Sequence, residues 1–244
     1  MPLRAFGPLF GQVYGSGTPA VIALHGWGRR GSDFDAVLAG VDAVAFDLPG
    51  FGATPAPEKP MGAAGYADVV ESAIGELGEG PFVVVGHSFG GRIGTVLAAR
   101  RPDLVRALVL TGVPLLRRAE GRRPPASYRL VRWLHARGLV SDARMEKLKR
   151  SRGSADYRAA TGVMRDVLVT VVNESYADEL AALRCPVTLL WGAEDTDVPP
   201  SIAVRAAELI PGPVTLDTID GVGHLTVIDA PSRVRQSITE AMSS

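Results

Sequence analysis

The sequence is short of most special features. It has one cysteine, Cys185, in 244 residues. An internal disulfide is therefore excluded, and a reducing compartment, hence a cytoplasmic location, is expected. Cys185 precedes Pro186 at the start of a strand-like run, which suits core packing. No apolar run approaches the ~20 residues of a membrane span. No basic stretch followed by a long apolar one opens the chain, so no signal peptide is expected. There is no internal repeat and no cluster at metal-ligand spacing, so neither metal nor cofactor is expected. The formal net charge is zero and no nucleic-acid-binding motif is present, which argues against a nucleic-acid partner. What remains is a chain with 46% hydrophobic residues, long enough to bury one sizeable core.

Strands are expected near residues 10–14, 20–24, 42–46, 82–86, 106–111, 187–191 and 214–219. Helices are expected near 32–39, 65–78, 90–101, 200–210 and 230–242. This alternation predicts an α/β fold with a mostly parallel, doubly wound sheet. The alternation breaks between about residues 115 and 183, which reads as helices inserted between two sheet strands.

The most informative segment is Gly86-His87-Ser88-Phe89-Gly90-Gly91. A β-branched apolar run precedes it and a helical pattern with Ile93, Val96 and Leu97 follows it. Gly-x-Ser-x-Gly on such a strand-turn-helix junction is a nucleophile elbow, which lifts a serine hydroxyl clear of the sheet. A serine hydroxyl needs a base to take its proton. The chain has four histidines. His25 ends a strand-like run, and the sharp turn is expected to aim His87 away from Ser88. His135 lies in a basic segment with no strand near it. His224 follows a strand-like run in a glycine-rich loop, where a rigid scaffold places catalytic groups, and it is the expected base. An acid must then orient the imidazole. Glu194, Asp195 and Asp197 crowd the loop after residues 187–191, and Asp195 is the choice, with Asp197 and Glu194 as fallbacks. The oxyanion requires N–H donors. Phe89, the first helical residue, supplies one, and Trp27 in His25-Gly26-Trp27-Gly28 the other.

Together with Asp47-Leu48-Pro49-Gly50-Phe51-Gly52 and Gly192-Ala193-Glu194-Asp195, these motifs resemble the α/β-hydrolase superfamily, of the small cofactor-free type. The resemblance implies a core of residues 1–114 and 184–244 and a helical cap of residues 115–183. It implies that the Asp47 segment is a structural turn. It implies a serine hydrolase that cleaves a carboxylic ester or thioester through an acyl-enzyme. Carbon–carbon bond hydrolysis, a lyase or cyclase reaction, or a ligand receptor on the same fold are the alternatives. The His-Gly-Trp-Gly loop is similar to that of esterases acting on pimeloyl-carrier-protein methyl esters.

Two features bear on the substrate. Residues 114–152 hold twelve Lys and Arg against three Asp and Glu, in a chain with 26 of each sign overall. Such asymmetry points to an anionic or carrier-bound acyl substrate. Val163, Val167 and Val171 recur at helical spacing, and Val167 and Val171, with Trp27, are the expected substrate-binding wall. A monomer or a homodimer is expected.

Overall fold

The computed structural model describes residues 1–117, 126–145, 148 and 154–243. Its eight-stranded sheet has the order β1-β2-β4-β3-β5-β6-β7-β8. The strands are β1 (Leu3–Phe6), β2 (Leu9–Tyr14), β3 (Val21–Leu24), β4 (Ala43–Asp47), β5 (Phe82–His87), β6 (Val105–Thr111), β7 (Val187–Gly192) and β8 (Val214–Ile219). The β1–β2 and β2–β4 pairings are antiparallel, and β4 to β8 pair in parallel.

Central strands read as continuous apolar runs because both faces are covered. In β5 all six residues are buried. The two-residue period sends Phe82 and Val84 to one core, and Val83 and Val85 to the other. The first core packs under α2 (Ala63–Ile74) and α3 (Phe89–Arg100), and the second under α1 (Asp35–Leu38) and α10 (Pro231–Ser243). Strand β1 was not expected from the sequence pattern. It is an edge strand with three exposed residues, so burial imposes no alternation on it. Helix α2 stops at Ile74 rather than near residue 78, with Gly75 at its C-cap.

The chain leaves the sheet after β6 and returns at β7. Described helices between them are α4 (Ala126–Ala136), α5 (Ala155–Ala159), α6 (Gly162–Val172) and α7 (Ala177–Ala182). The end of α6 is pinned to the sheet layer by polar contacts. Arg92 donates to the Val171 carbonyl and Arg117 to that of Asn173. Glu174 accepts from the Ala63 N–H, 3.1 Å away, at the start of α2. Near the start of α6, Met164 lies against Gly50, where a Cβ would stand 2.3 Å from its Sδ. Beyond β7, the chain adds α8 (Ser201–Ala207) and α9 (Thr226–Asp229). Among the described residues, no helix is long and apolar enough to cross a membrane.

Candidate active site

Parallel α/β sheets place sites at the carboxyl ends of their strands, near a switch in strand order. Here β5 ends at His87 and α3 starts at Phe89, so Ser88 alone makes the turn. Its φ of 48° is the one positive value at a non-glycine among the described residues. Such a backbone costs about 1–3 kcal/mol and persists only where the surroundings dictate it. The surroundings do so through close approach. A Cβ on Gly86 would lie 2.5 Å from the Gly91 Cα, and one on Gly90 would lie 2.1 Å from the Leu24 carbonyl oxygen.

The loop after β8 carries His224. It can approach β7 because Gly192 has no side chain; a Cβ there would meet the Gly223 carbonyl oxygen at 2.2 Å. His224 Nδ1 stands 2.8 Å from Asp195 Oδ2, and its Nε2 stands 3.2 Å from Ser88 Oγ. The other Asp195 oxygen accepts from the Val198 N–H at 2.8 Å. Asp195 is buried, whereas Glu194 and Asp197 are exposed. A carboxylate facing Nδ1 makes that nitrogen the donor, so the Nε2 lone pair faces the serine hydroxyl. The arrangement can therefore move a proton off Ser88. Gly112, at the end of β6, was not singled out from the sequence. A Cβ there would stand 3.0 Å from His224 Nδ1 and 3.3 Å from Asp195 Oδ2, wedged beside their hydrogen bond.

The two residues expected to supply oxyanion donors, Trp27 and Phe89, both line the cavity that holds Ser88. Phe89 opens α3, so its N–H has no helical carbonyl to meet. The Arg29 N–H donates to the Gly26 carbonyl at 3.2 Å, closing a turn with Trp27 and Gly28 at its centre. Gly28 has φ 69°, the third-position conformation for which type II turns need glycine. His25 stiffens this loop. Its Nε2 accepts from the Leu48 N–H at 2.9 Å, so Nδ1 carries the proton and donates to the Gly26 carbonyl at 2.7 Å. The Asp47 carboxylate accepts from Gly31 and Ala53 N–H groups, as a structural turn requires.

A cavity of about 460 Å³ opens over Ser88 and His224. Trp27 and Val171 line it. Val167 does not; it is fully buried in the first core. The reason is rotation: successive helical residues turn by about 100°, so the wall from α6 is Leu168, Val171 and Val172. His87 does not turn away. Its ring lines the cavity, with its centroid 5.0 Å from that of His224, while Nδ1 bonds Thr111. Sequence reasoning also missed three charged residues of the lining, Arg29, Arg92 and Asp156; Asp197, the fallback acid, lines it as well. Burial and the neighbouring Asp197 push the Asp156 carboxyl up, and His224 pulls it down. Among the described residues, no group of three or more His, Cys, Asp and Glu side chains is placed to hold a metal.

Burial holds two histidines neutral, His25 at about 4 and His87 at about 3, against an ordinary 6.5. In the unfolded chain both titrate near 6.5. Below that pH the unfolded state binds protons that the folded state refuses. Stability is therefore fully present above about pH 6.5 and falls as pH drops toward about 4. For His25 alone the whole window is worth on the order of 3 kcal/mol. Urea midpoints between about pH 7 and about pH 5 are expected to fall with pH, and more gently in His25→Gln. A wild-type midpoint that stays level would show these rings to be charged in the fold.

Residues 21–236 match the Alpha/beta hydrolase family. The chain belongs to that family. This hydrolase is similar to the pimeloyl-[acyl-carrier protein] methyl ester esterase of Chromobacterium violaceum, at 28% identity over 84% of this chain and 87% of the relative. It is 41% identical to the lipase LipV of Mycobacterium tuberculosis over 41% of this chain and 39% of the relative. Among solved structures, a serine hydrolase involved in carbazole degradation superposes with a TM-score of 0.75 at 20% identity, covering 99% of this chain and 98% of the other. That likeness is one of fold.

Proposed function

We propose that this hydrolase cleaves a carboxylic ester or thioester through an acyl-enzyme on Ser88. The observation that carries the reading is the unbroken line from Asp195 through His224 to Ser88, with contacts of 2.8 and 3.2 Å, at the floor of a cavity. His224 takes the Ser88 proton as the hydroxyl attacks the carbonyl. The Trp27 and Phe89 N–H groups hold the oxyanion. His224 then protonates the leaving group and activates water, which releases the acid. Residues 115–183 are read as a cap on a core of residues 1–114 and 184–244, a reading supported by Leu168, Val171 and Val172 of α6 in the cavity wall. The named similarity to a methyl ester esterase supports an ester substrate. The single cysteine, which is buried, supports a cytoplasmic location.

The test is a series of acyl esters and thioesters of graded chain length, with intact-mass detection of the acyl-enzyme. Hydrolysis with a mass increment confined to Ser88 is expected. A pure ligand receptor would bind such compounds with negligible turnover. Cleavage of carbon–carbon substrates alone would move the assignment to that chemistry.

The basic segment supports an anionic or carrier-bound substrate. Arg117 is engaged with Asn173, and Arg118, Arg122 and Arg123 lie outside the described residues. Arg129, Arg132 and Arg137 are exposed. A charged rim mainly speeds encounter, and salt screens it over about 10 Å at 0.1 M. Replacing these three by serine is expected to lower kcat/KM for a carrier-bound ester and to spare a small neutral one. Rising salt should erase the difference in the wild type. Equal losses on both substrates would mean that the arginines serve folding instead.

A further inference from the structure

Arg92 is the feature that the reaction above leaves unused. It lies four residues beyond Ser88 on α3, which places it on the same helix face, one turn along. Helical side chains lean toward the helix N-terminus, so the guanidinium is carried back toward the elbow. The residue is only 8% exposed, yet it lines the cavity over Ser88. Its neighbours in that wall are apolar: Pro114, Leu168, Val171 and Val172.

A permanently charged group in such a wall needs strong compensation. Arg92 has little. One terminal nitrogen donates to the Val171 carbonyl, and the guanidinium stands 5.8 Å from the Tyr176 ring centroid and also hydrogen-bonds the Tyr176 hydroxyl. Its Nε has no hydrogen-bond partner among the described residues. The neighbouring carboxylate, Glu174, accepts from the Ala63 N–H at 3.1 Å and the Tyr176 hydroxyl at 2.7 Å. The Val171 carbonyl and the Tyr176 hydroxyl account for two bonds of a five-donor group, and Nε is left over.

The cavity is also polarised. Asp156 and Asp197 line it, Asp156 acting electrostatically with both Asp197 and His224, while the second cation of the lining, Arg29, is ion-paired with Asp33. Arg92 projects from α3, one turn beyond Ser88. A substrate with an anion at the far end of its acyl chain matches this polarity; a volume of about 460 Å³ admits a short chain. We infer that Arg92 is a specificity-determining residue that receives a carboxylate on the acyl chain, so that the preferred substrates are monoesters of short dicarboxylic acids. The inference rests on the ester-hydrolase reading above.

The experiment compares monomethyl glutarate and monomethyl adipate with methyl pentanoate and methyl hexanoate, by pH-stat, in the wild type, Arg92→Lys and Arg92→Met. The wild type is expected to favour the monoesters in kcat/KM by roughly ten- to hundredfold, the value of a charge-assisted hydrogen bond. Arg92→Met should collapse that ratio toward one, with the loss appearing in KM. Arg92→Lys should keep part of it. Calorimetry with adipate and hexanoate in Ser88→Ala separates recognition from chemistry, since no turnover is needed. Adipate should bind more tightly than hexanoate there; the advantage should vanish on adding Arg92→Met and shrink on adding Arg92→Lys, each read in a variant that melts as a folded protein. Equal affinity for the two acids, or a preference left undiminished by whichever substitution folds, overturns the inference. Adipate binding without hydrolysis of any ester would instead overturn the ester-hydrolase reading and leave Arg92 as the anion site.

Discussion

Ser88→Ala is expected to lower kcat on any ester by about a millionfold, because a nucleophile and its base act as a unit. A residual rate of about three to four orders of magnitude above water should survive, the share expected from the proposed oxyanion donors, the Trp27 and Phe89 N–H groups, and from binding. Fluorophosphonate labelling should disappear, while the wild-type protein takes up one equivalent. The fold should not suffer. The φ of 48° at Ser88 is imposed by Gly86, Gly90 and the strands around them, and alanine meets the same backbone cost as serine. Only one partly buried contact of 3.2 Å, to His224, is removed. A melting temperature within a few degrees of the wild type is therefore part of the expected result. Labelling that persists in Ser88→Ala, or activity reduced only severalfold, would place the nucleophile elsewhere.

How much of this site was legible in the sequence depends on what constrains each residue. The elbow was legible because steric demand writes itself as glycine. Gly86 and Gly90 each face backbone within 3 Å of a hypothetical Cβ. The buried strands were legible because β3 to β7 are apolar on both faces. Edge strand β1 wrote no such pattern. Its place three residues after Gly192 at a strand end favours Asp195 over Glu194 and Asp197, but what sets it apart physically, its burial and its 2.8 Å contact with His224, is visible only in three dimensions. The role of His25 was hidden for a similar reason. Its partner, the Leu48 N–H, lies 23 residues away and has no side-chain signature. Arg92 was hidden in an apolar helical pattern, where an arginine reads as an interruption facing solvent. Val167 misled in the opposite sense. Periodicity marks a buried face, but the core and the cavity wall adjoin along α6, and the pattern does not say which of them a given valine meets.

The acid gives the second large effect. Asp195→Asn is expected to lower kcat by about four orders of magnitude, against less than tenfold for Asp197→Asn. The argument is one of tautomers. Asp195 spends one oxygen on the Val198 N–H and the other on His224 Nδ1. Asparagine must use its single carbonyl oxygen for the Val198 N–H, since an N–H facing an N–H is repulsive. Its amide NH₂ then points at Nδ1 and forces that nitrogen to accept. The His224 proton moves to Nε2, which faces Ser88, and the base has no lone pair left for the hydroxyl. Gly112 lets the pair form, because a side chain there would crowd His224 Nδ1 and Asp195 Oδ2. Asp197 lines the cavity from an exposed position, and its loss leaves the tautomer alone. The two variants are to be compared in kcat on one small neutral ester, with melting temperatures to confirm folding. Equal losses, or a larger loss in Asp197→Asn, would transfer the orienting role from Asp195 to Asp197.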